Sequence, residues 1–306
     1  MNFTVDDDNI WKTCVVYRTE MKRLVGFPSK PYFINLIFVC FANILLAIST
    51  ITLNTIAILA CWRSKELRKG KSYFLIALLS LNDLTIGILG GPSVVALTVK
   101  TLMRKSHCTT FILFELTARG LIGISFTTLF LLNLERYCSI VHPFFHRAEV
   151  TKLRLFGMAL VLWSLAILLL FSHFVLDTAA RYVRTLSIIV IIILSLCMYA
   201  SIYRTSRKTV QVCRSRRELR NWAARNILEL KLAKSCAIVV CSSIICFIPF
   251  SVTSFLRPRG NTVTYAVGLW CNALAIAGSS VNSIIFFWRN RVLRHQAKKI
   301  FSLWKT

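Results

Sequence analysis

Seven long apolar runs, at about 31–62, 72–99, 107–134, 153–176, 182–203, 232–256 and 262–288, constrain this chain more than any other feature. Each reaches the roughly 20 residues that a helix needs to cross about 30 Å of hydrocarbon. No water is available there to the backbone, so each run is expected to be a helix that satisfies its own hydrogen bonds. Runs longer than that predict tilt, or helix continued beyond the lipid, rather than extra spans. The expected fold class is therefore all-α, a seven-transmembrane helix bundle. The expected organisation is an extracellular N-terminus (1–30), the bundle (31–288) and a cytosolic amphipathic helix and tail (289–306).

A formal net charge of +26 would by itself suggest nucleic acid. The Lys and Arg residues instead sit between the apolar runs, so no nucleic-acid partner is expected. They are most concentrated after the first, third, fifth and seventh runs, in WRSKELRKGK, HPFFHRAEVTKLR, the long stretch from about 204 to 231, and RNRVLRHQAKKIFSLWKT. The positive-inside rule puts those connections in the cytosol and the N-terminus outside, as a multi-pass protein of the cell membrane. The first thirty residues are polar and give no sign of a cleavable signal, and Asn2-Phe3-Thr4 is a glycosylation candidate on the outer side. Cys14 and Cys108 are the cysteines in plainly extracellular context, which makes them the disulfide candidates. The short outer connection at about 174–184 contains no cysteine. After the last run, Leu293, Ala297, Ile300, Phe301 and Trp304 recur at helical spacing between basic residues, which predicts an amphipathic helix on the anionic inner leaflet.

Several motifs then fall at corresponding places along the runs. Glu135-Arg136-Tyr137 closes the third run and continues into SIVHPF. Asn54 lies in TLNTIAI, Asp83 in LSLNDL, Trp163 in VLWSL, and Cys246, Phe247 and Pro249 in CFIP; VNSIIFFWRN ends the seventh run. In order and spacing this set resembles the rhodopsin-like G-protein-coupled receptors. The resemblance implies a receptor that binds an extracellular ligand and activates a heterotrimeric G protein within membrane lipid, with no enzymatic activity. It implies a switch in which Arg136 is held by Glu135 and by Glu229 at the foot of the sixth helix, with Tyr137, Tyr199, Asn282 and Phe286 taking part. It also implies an allosteric sodium pocket at Asp83, Ser125 and Ser279, with no other cofactor required. The bland alternative is an Asp83 that only hydrogen-bonds Asn54 and Asn282. Pro249 removes a backbone bond and predicts a kink in the sixth helix.

The sequence also departs from the family pattern. Ser283 and Phe286 replace the seventh-helix proline and tyrosine, Phe247 replaces a sixth-helix tryptophan, and Ser243 replaces a phenylalanine. The missing outer-loop cysteine and fifth-helix proline are similar to the melanocortin, cannabinoid and lysophospholipid receptor group. Ala118 stands where monoamine receptors carry an aspartate, which argues against a monoamine bound in the usual way. Glu115 and Arg119, four residues apart, form a candidate ion pair at the mouth of the bundle, with Phe247 and Phe250 as further pocket candidates. The basic outer residues favour an anionic peptide or lipid as ligand. Two alternatives remain at this stage: a decoy of the same fold that binds without signalling, and a seven-helix transporter. The chain shows neither the inverted repeats nor the interrupted helices expected of a transporter.

Overall fold

In the first run almost every residue is apolar, so hydrophobicity cannot say which face turns inward. Size and polarity decide it. Helix α1 (Lys30–Arg63) buries Leu36, Val39, Asn43, Ala47, Thr50, Asn54, Ala57 and Cys61 along one stripe. It leaves Ile34, Phe38, Phe41, Leu45 and Ile48 exposed on the other. Lipid is as apolar as leucine, so small and hydrogen-bonding residues are the ones that gain from helix contact. The computed structural model describes residues 30–103, 108–215, 237–238, 241–242, 244–249, 251–253 and 262–303, and among them all regular structure is helical.

A short helix α2 (Lys65–Lys69) follows, its N-terminus capped by Ser64, whose Oγ accepts from the Leu67 N–H at 3.3 Å. The second span is α3 (Lys71–Thr85), a π-helical turn at Ile86–Gly90, and α4 (Gly91–Leu102). The third is α5 (Cys108–Phe114), a second π turn at Glu115–Gly120, and α6 (Leu121–Val141). A short α7 (Pro143–Ala148) leads to α8 (Lys152–Ser215), then α9 (Thr262–Arg289) and α10 (Arg291–Leu303). Six spans are long and apolar enough to cross a membrane, and Ile244–Thr253 adds a further apolar helical segment from the sixth run. Together they form the expected all-α seven-helix bundle. The third span ends at Val141, beyond the apolar run, so Glu135 and Arg136 lie inside the helix, about two turns from its end.

The connection expected at about 174–184 is itself helical in local geometry, since helical residues run from Lys152 to Ser215 with no extended loop between. A straight helix of that length would measure about 96 Å, three times the hydrocarbon thickness. Yet Trp163 Nε1 donates to Thr128 Oγ1 at 2.9 Å while Asn133 Nδ2 reaches the Ser195 carbonyl at 3.5 Å. Partners 32 residues apart on α8 thus meet residues only five apart on α6. The chain must therefore turn back between Trp163 and Ser195, so that α8 supplies both the fourth and the fifth span as two arms.

Close helix contact follows from glycines. A Cβ on Gly91 would lie 2.7 Å from the Ala47 Cβ, and one on Gly87 would lie 2.8 Å from Ile51 Cγ1. This small-xxx-small pair therefore lets α1 approach the second span. A Cβ on Gly90 would stand 3.4 Å from the Ala118 Cα, so the two π turns face each other at one depth.

The expected amphipathic helix at the chain's far end is α10. Leu293, Ala297 and Ile300 of α10 are buried, and Leu293 and Ile300 join a core with Ala60, Leu67 and Phe286. The apolar face meets the base of the bundle, and Arg291, Arg294, Lys298 and Lys299 are exposed. Asn290 starts the helix, its Oδ1 accepting from the Val292 and Leu293 N–H groups at 3.0 and 3.2 Å. The side chains of Phe301 and Trp304 lie outside the described residues, as do Asn2, Cys14, Glu229, Ser243, Phe250 and the side chain of Cys108.

Candidate functional site

At the basic end of the bundle, adjacent helical residues would normally diverge. Arg136 curls back instead: its Nε and Nη2 each donate to Glu135, to Oε2 and Oε1, at 2.7 Å. Both side chains are buried, at 2% exposure each. Two further groups close the cluster. Ser72, one residue into the second span, accepts from Arg136 Nη2 and donates to Glu135 Oε1 at 3.2 Å. His146 of α7 brings Nε2 within 2.9 Å of the same Oε1, and Lys71 Nζ steadies the His146 carbonyl at 2.8 Å. One carboxylate therefore gathers three helices around the arginine. A buried charge that lost such partners would be strongly destabilised, so opening this cluster demands a replacement partner for Arg136. Tyr137 stands apart, half-buried, with its ring edge-on to His142 at 5.6 Å.

The bundle centre holds a second polar cluster. Ser125 Oγ donates to Asp83 Oδ1 at 2.7 Å, Asn282 Nδ2 donates to Oδ2 at 3.2 Å, and Ser279 also bonds the carboxylate. Asn54 does not bond Asp83: its amide goes to the Thr50 carbonyl at 2.9 Å, and its Oδ1 accepts from Ser283 Oγ at 2.6 Å. The residue in the proline's place is thus a hydrogen-bond donor between the first and seventh spans, and α9 runs through it without a break. Phe286 is buried in the basic-end core, against which Tyr199 packs. Thr128 Oγ1 links three spans, accepting from Asn82 as well as from Trp163 at 2.9 Å.

Toward the opposite end, Glu115 and Arg119 form an ion pair at 2.5 Å on the third span's π turn, almost wholly buried. The Arg119 guanidinium lies 5.3 Å from the Phe114 ring centre. The sequence-derived pocket set divides here. Arg119 and Phe247 border a cavity of about 390 Å³ between the third span and the two arms of α8, whereas Glu115 and Ala118 do not line it. Ala118, fully buried, meets Gly90 of the second span. Phe247 lies over Phe126 with ring centres 4.7 Å apart, and Pro249 follows two residues on.

A profile of the family described as "7 transmembrane receptor (rhodopsin family)" matches residues 53–187, from the first span to the fifth. The histamine H2 receptor of Homo sapiens is 24% identical over 283 residues, 84% of this chain and 77% of that protein. The adenosine receptor A2b of Gallus gallus is 22% identical over 290 residues, 80% and 83% of the two chains. The D(1C) dopamine receptor of Xenopus laevis is 29% identical over 128 residues, 42% of this chain and 27% of that one. These matches support a rhodopsin-like G-protein-coupled receptor and a multi-pass membrane protein, similar to signalling receptors rather than to enzymes.

Within this receptor, Ser72 and His146 were not legible as partners of Glu135–Arg136. Ser72 is 63 residues from Glu135 and reads as the ordinary start of a helix; His146 reads as part of a loop. Only the HPFF turn, which begins α7 with Pro143, folds the chain back far enough to deliver the imidazole. Arg184 is another residue brought to the cavity by folding alone.

Proposed function

We propose that the receptor sits in the plasma membrane with its N-terminus outside, binds an anionic extracellular ligand and activates a heterotrimeric G protein through Arg136. The observation that carries this reading is the Glu135–Arg136–Ser72–His146 cluster. It is a buried cation at the basic end, which the positive-inside rule assigns to the cytosol. Glu135 and Ser72 hold it through a carboxylate and a hydroxyl, which a G protein segment can replace. Glu229, which the family resemblance adds to the latch, would supply a second carboxylate from the sixth helix.

An amine ligand is not favoured, although relatives are named for histamine and dopamine. Ala118 offers no carboxylate, and Glu115 on the same helix already holds Arg119. The two arginines on the cavity, with no acid among its described lining residues, favour an anion. In the same reading Asp83, Ser125 and Ser279 hold a sodium ion, since one carboxylate and two hydroxyls form the all-oxygen set a hard cation prefers.

Basal nucleotide exchange on a panel of G proteins tests the reading, with wild type, Glu229→Ala and Arg136→Ala at matched surface density. Exchange raised in Glu229→Ala and lost in Arg136→Ala is expected. Silence from wild type and Glu229→Ala alike would overturn activation and leave a receptor that binds without signalling.

A further inference from the structure

The cavity between the third span and the two arms of α8 differs at its two ends. Arg119 and Arg184 stand on its border at one end; seven residues further along each helix, about 10 Å, come Phe126 and Ile191. Between these levels the walls are Leu162, Leu169, Ile188 and other apolar side chains. The two hydroxyls on the wall do not alter this. Thr127 Oγ1 donates to the Ile124 carbonyl at 2.9 Å and Ser187 Oγ to the Val183 carbonyl at 2.8 Å, so both are turned to their own helices. The floor is the Phe126–Phe247 pair.

On its outer side the cavity borders the lipid. Leu165, one of its lining residues, is 51% exposed, and Ile189, Val190 and Ile193 of the fifth-span arm are exposed beside it. A molecule can therefore reach this space from the bilayer, with its head at the level of the arginines and its tail already in hydrocarbon. We infer that this cavity binds a single-chain carboxylate amphiphile of the fatty-acid kind, taken up sideways from the membrane, with its head on Arg184 and Arg119 and its chain against Phe126 and Phe247. This deepens the anionic-ligand reading above and rests on it.

Four observations select that occupant. Among the described residues the lining carries two guanidinium groups and no carboxylate, which disfavours a cationic partner on charge. A guanidinium presents its donors in a fork that matches a carboxylate, and both arginines stand at the same end of the cavity. A volume of about 390 Å³ lies at the small end of ligand pockets, which suits one chain and not two. The floor residue Phe247 precedes the sixth-span Pro249 by two positions, so a chain pressing on it acts on the segment most easily bent.

Gly123 offers a clean perturbation. It lines the cavity, and a Cβ built on it meets nothing within 4 Å, so a larger side chain there fills the void without displacing a neighbour. Leucine also favours helix more than glycine does. The test uses full-length receptor in nanodiscs of neutral phosphatidylcholine and a palmitate analogue bearing a chain diazirine, with its methyl ester as the uncharged control. After photolysis, labelled positions are mapped by mass spectrometry.

Saturable labelling by the acid is expected on the stretches around Leu162–Leu170 and Ser187–Ile191. Labelling should fall about tenfold in Gly123→Leu and in Arg184→Gln, and the ester should label weakly there. Thermal unfolding of both variants identifies any loss due to misfolding, and Arg184→Gln changes only a half-buried side chain. Arg136→Ala should label as wild type does, so a failed G-protein reading and a failed lipid site give different results. Labels scattered over the lipid-facing sides of all spans, unchanged by Gly123→Leu, would overturn the proposal. So would an ester that labels the cavity as well as the acid.

Discussion

Replacing Ser283 tests whether the altered seventh helix has gained an interaction or merely lost a proline. Ser283 Oγ donates to Asn54 Oδ1 at 2.6 Å, with the two residues 1% and 0% exposed. Ser283→Ala strands a buried acceptor, a loss of about 1–3 kcal/mol in a water-soluble protein. Between membrane helices the measured values are smaller, about 0.6 kcal/mol on average and up to about 1.7. About 1 kcal/mol is therefore expected, a fall of roughly 1–2 °C in unfolding temperature for a chain of this size. Ser283→Pro restores the family residue but also removes the backbone N–H that helix geometry aims at the Ser279 carbonyl. Its cost rises by about 3 kcal/mol in an unkinked helix.

Unfolding of the detergent-solubilised receptor can be followed with a thiol-reactive dye, since Cys61, Cys246 and Cys271 are free and buried. A double-mutant cycle with Asn54→Ala should return a coupling of about 0.5–1.5 kcal/mol, as expected for residues in direct contact. A proline variant as stable as wild type, together with no coupling in the cycle, would refute the argument. Ser283 would then be a substitution without a partner, and the decoy reading would regain its motive.

Three other perturbations have definite outcomes. Glu135→Gln removes the charge that Arg136, Ser72 and His146 share, so basal nucleotide exchange should rise about tenfold in membranes at equal receptor density, for about 1.4 kcal/mol of lost restraint; an unchanged rate would show that the cluster is no restraint. Gly91→Ala places a Cβ 2.7 Å from that of Ala47 and should cost about 1–3 kcal/mol, whereas Gly157→Ala, with nothing within 4 Å, should be neutral or slightly stabilising by the same unfolding assay. Asp83→Asn keeps the shape of the polar centre but removes its only carboxylate, so any stabilisation of wild type by sodium over potassium chloride should vanish in the variant; a sodium effect that survives would place the ion elsewhere.

The spans could be read from the sequence because a membrane leaves the backbone one economical solution, and each apolar run is long enough to reach across. Asp83, Ser125 and Asn282 could be read as a group because the family pattern fixes their depth along three helices. The helical form of the turn within α8 could not, because the apolar pattern of two spans is the same whether the chain between them is loop or helix. Nor could the contact of α10 with the base of the bundle: an apolar stripe of Leu293, Ala297 and Ile300 does not name the surface it packs on.

Sequence alone thus determined what is local or additive: the number and length of the spans, the orientation expected from the basic connections, and the residue types that can carry charge within them. Tertiary structure decided what depends on distance through space. It set Ser72 and His146 on one carboxylate, paired Ser283 with Asn54 across 229 positions, and brought Arg184 to the cavity that Arg119 also borders. In a bilayer, apolar side chains gain nothing by choosing each other over lipid. The inward faces are therefore chosen by small residues and by polar groups seeking partners, and a polar group's partner lies on another helix, which no one-dimensional pattern records.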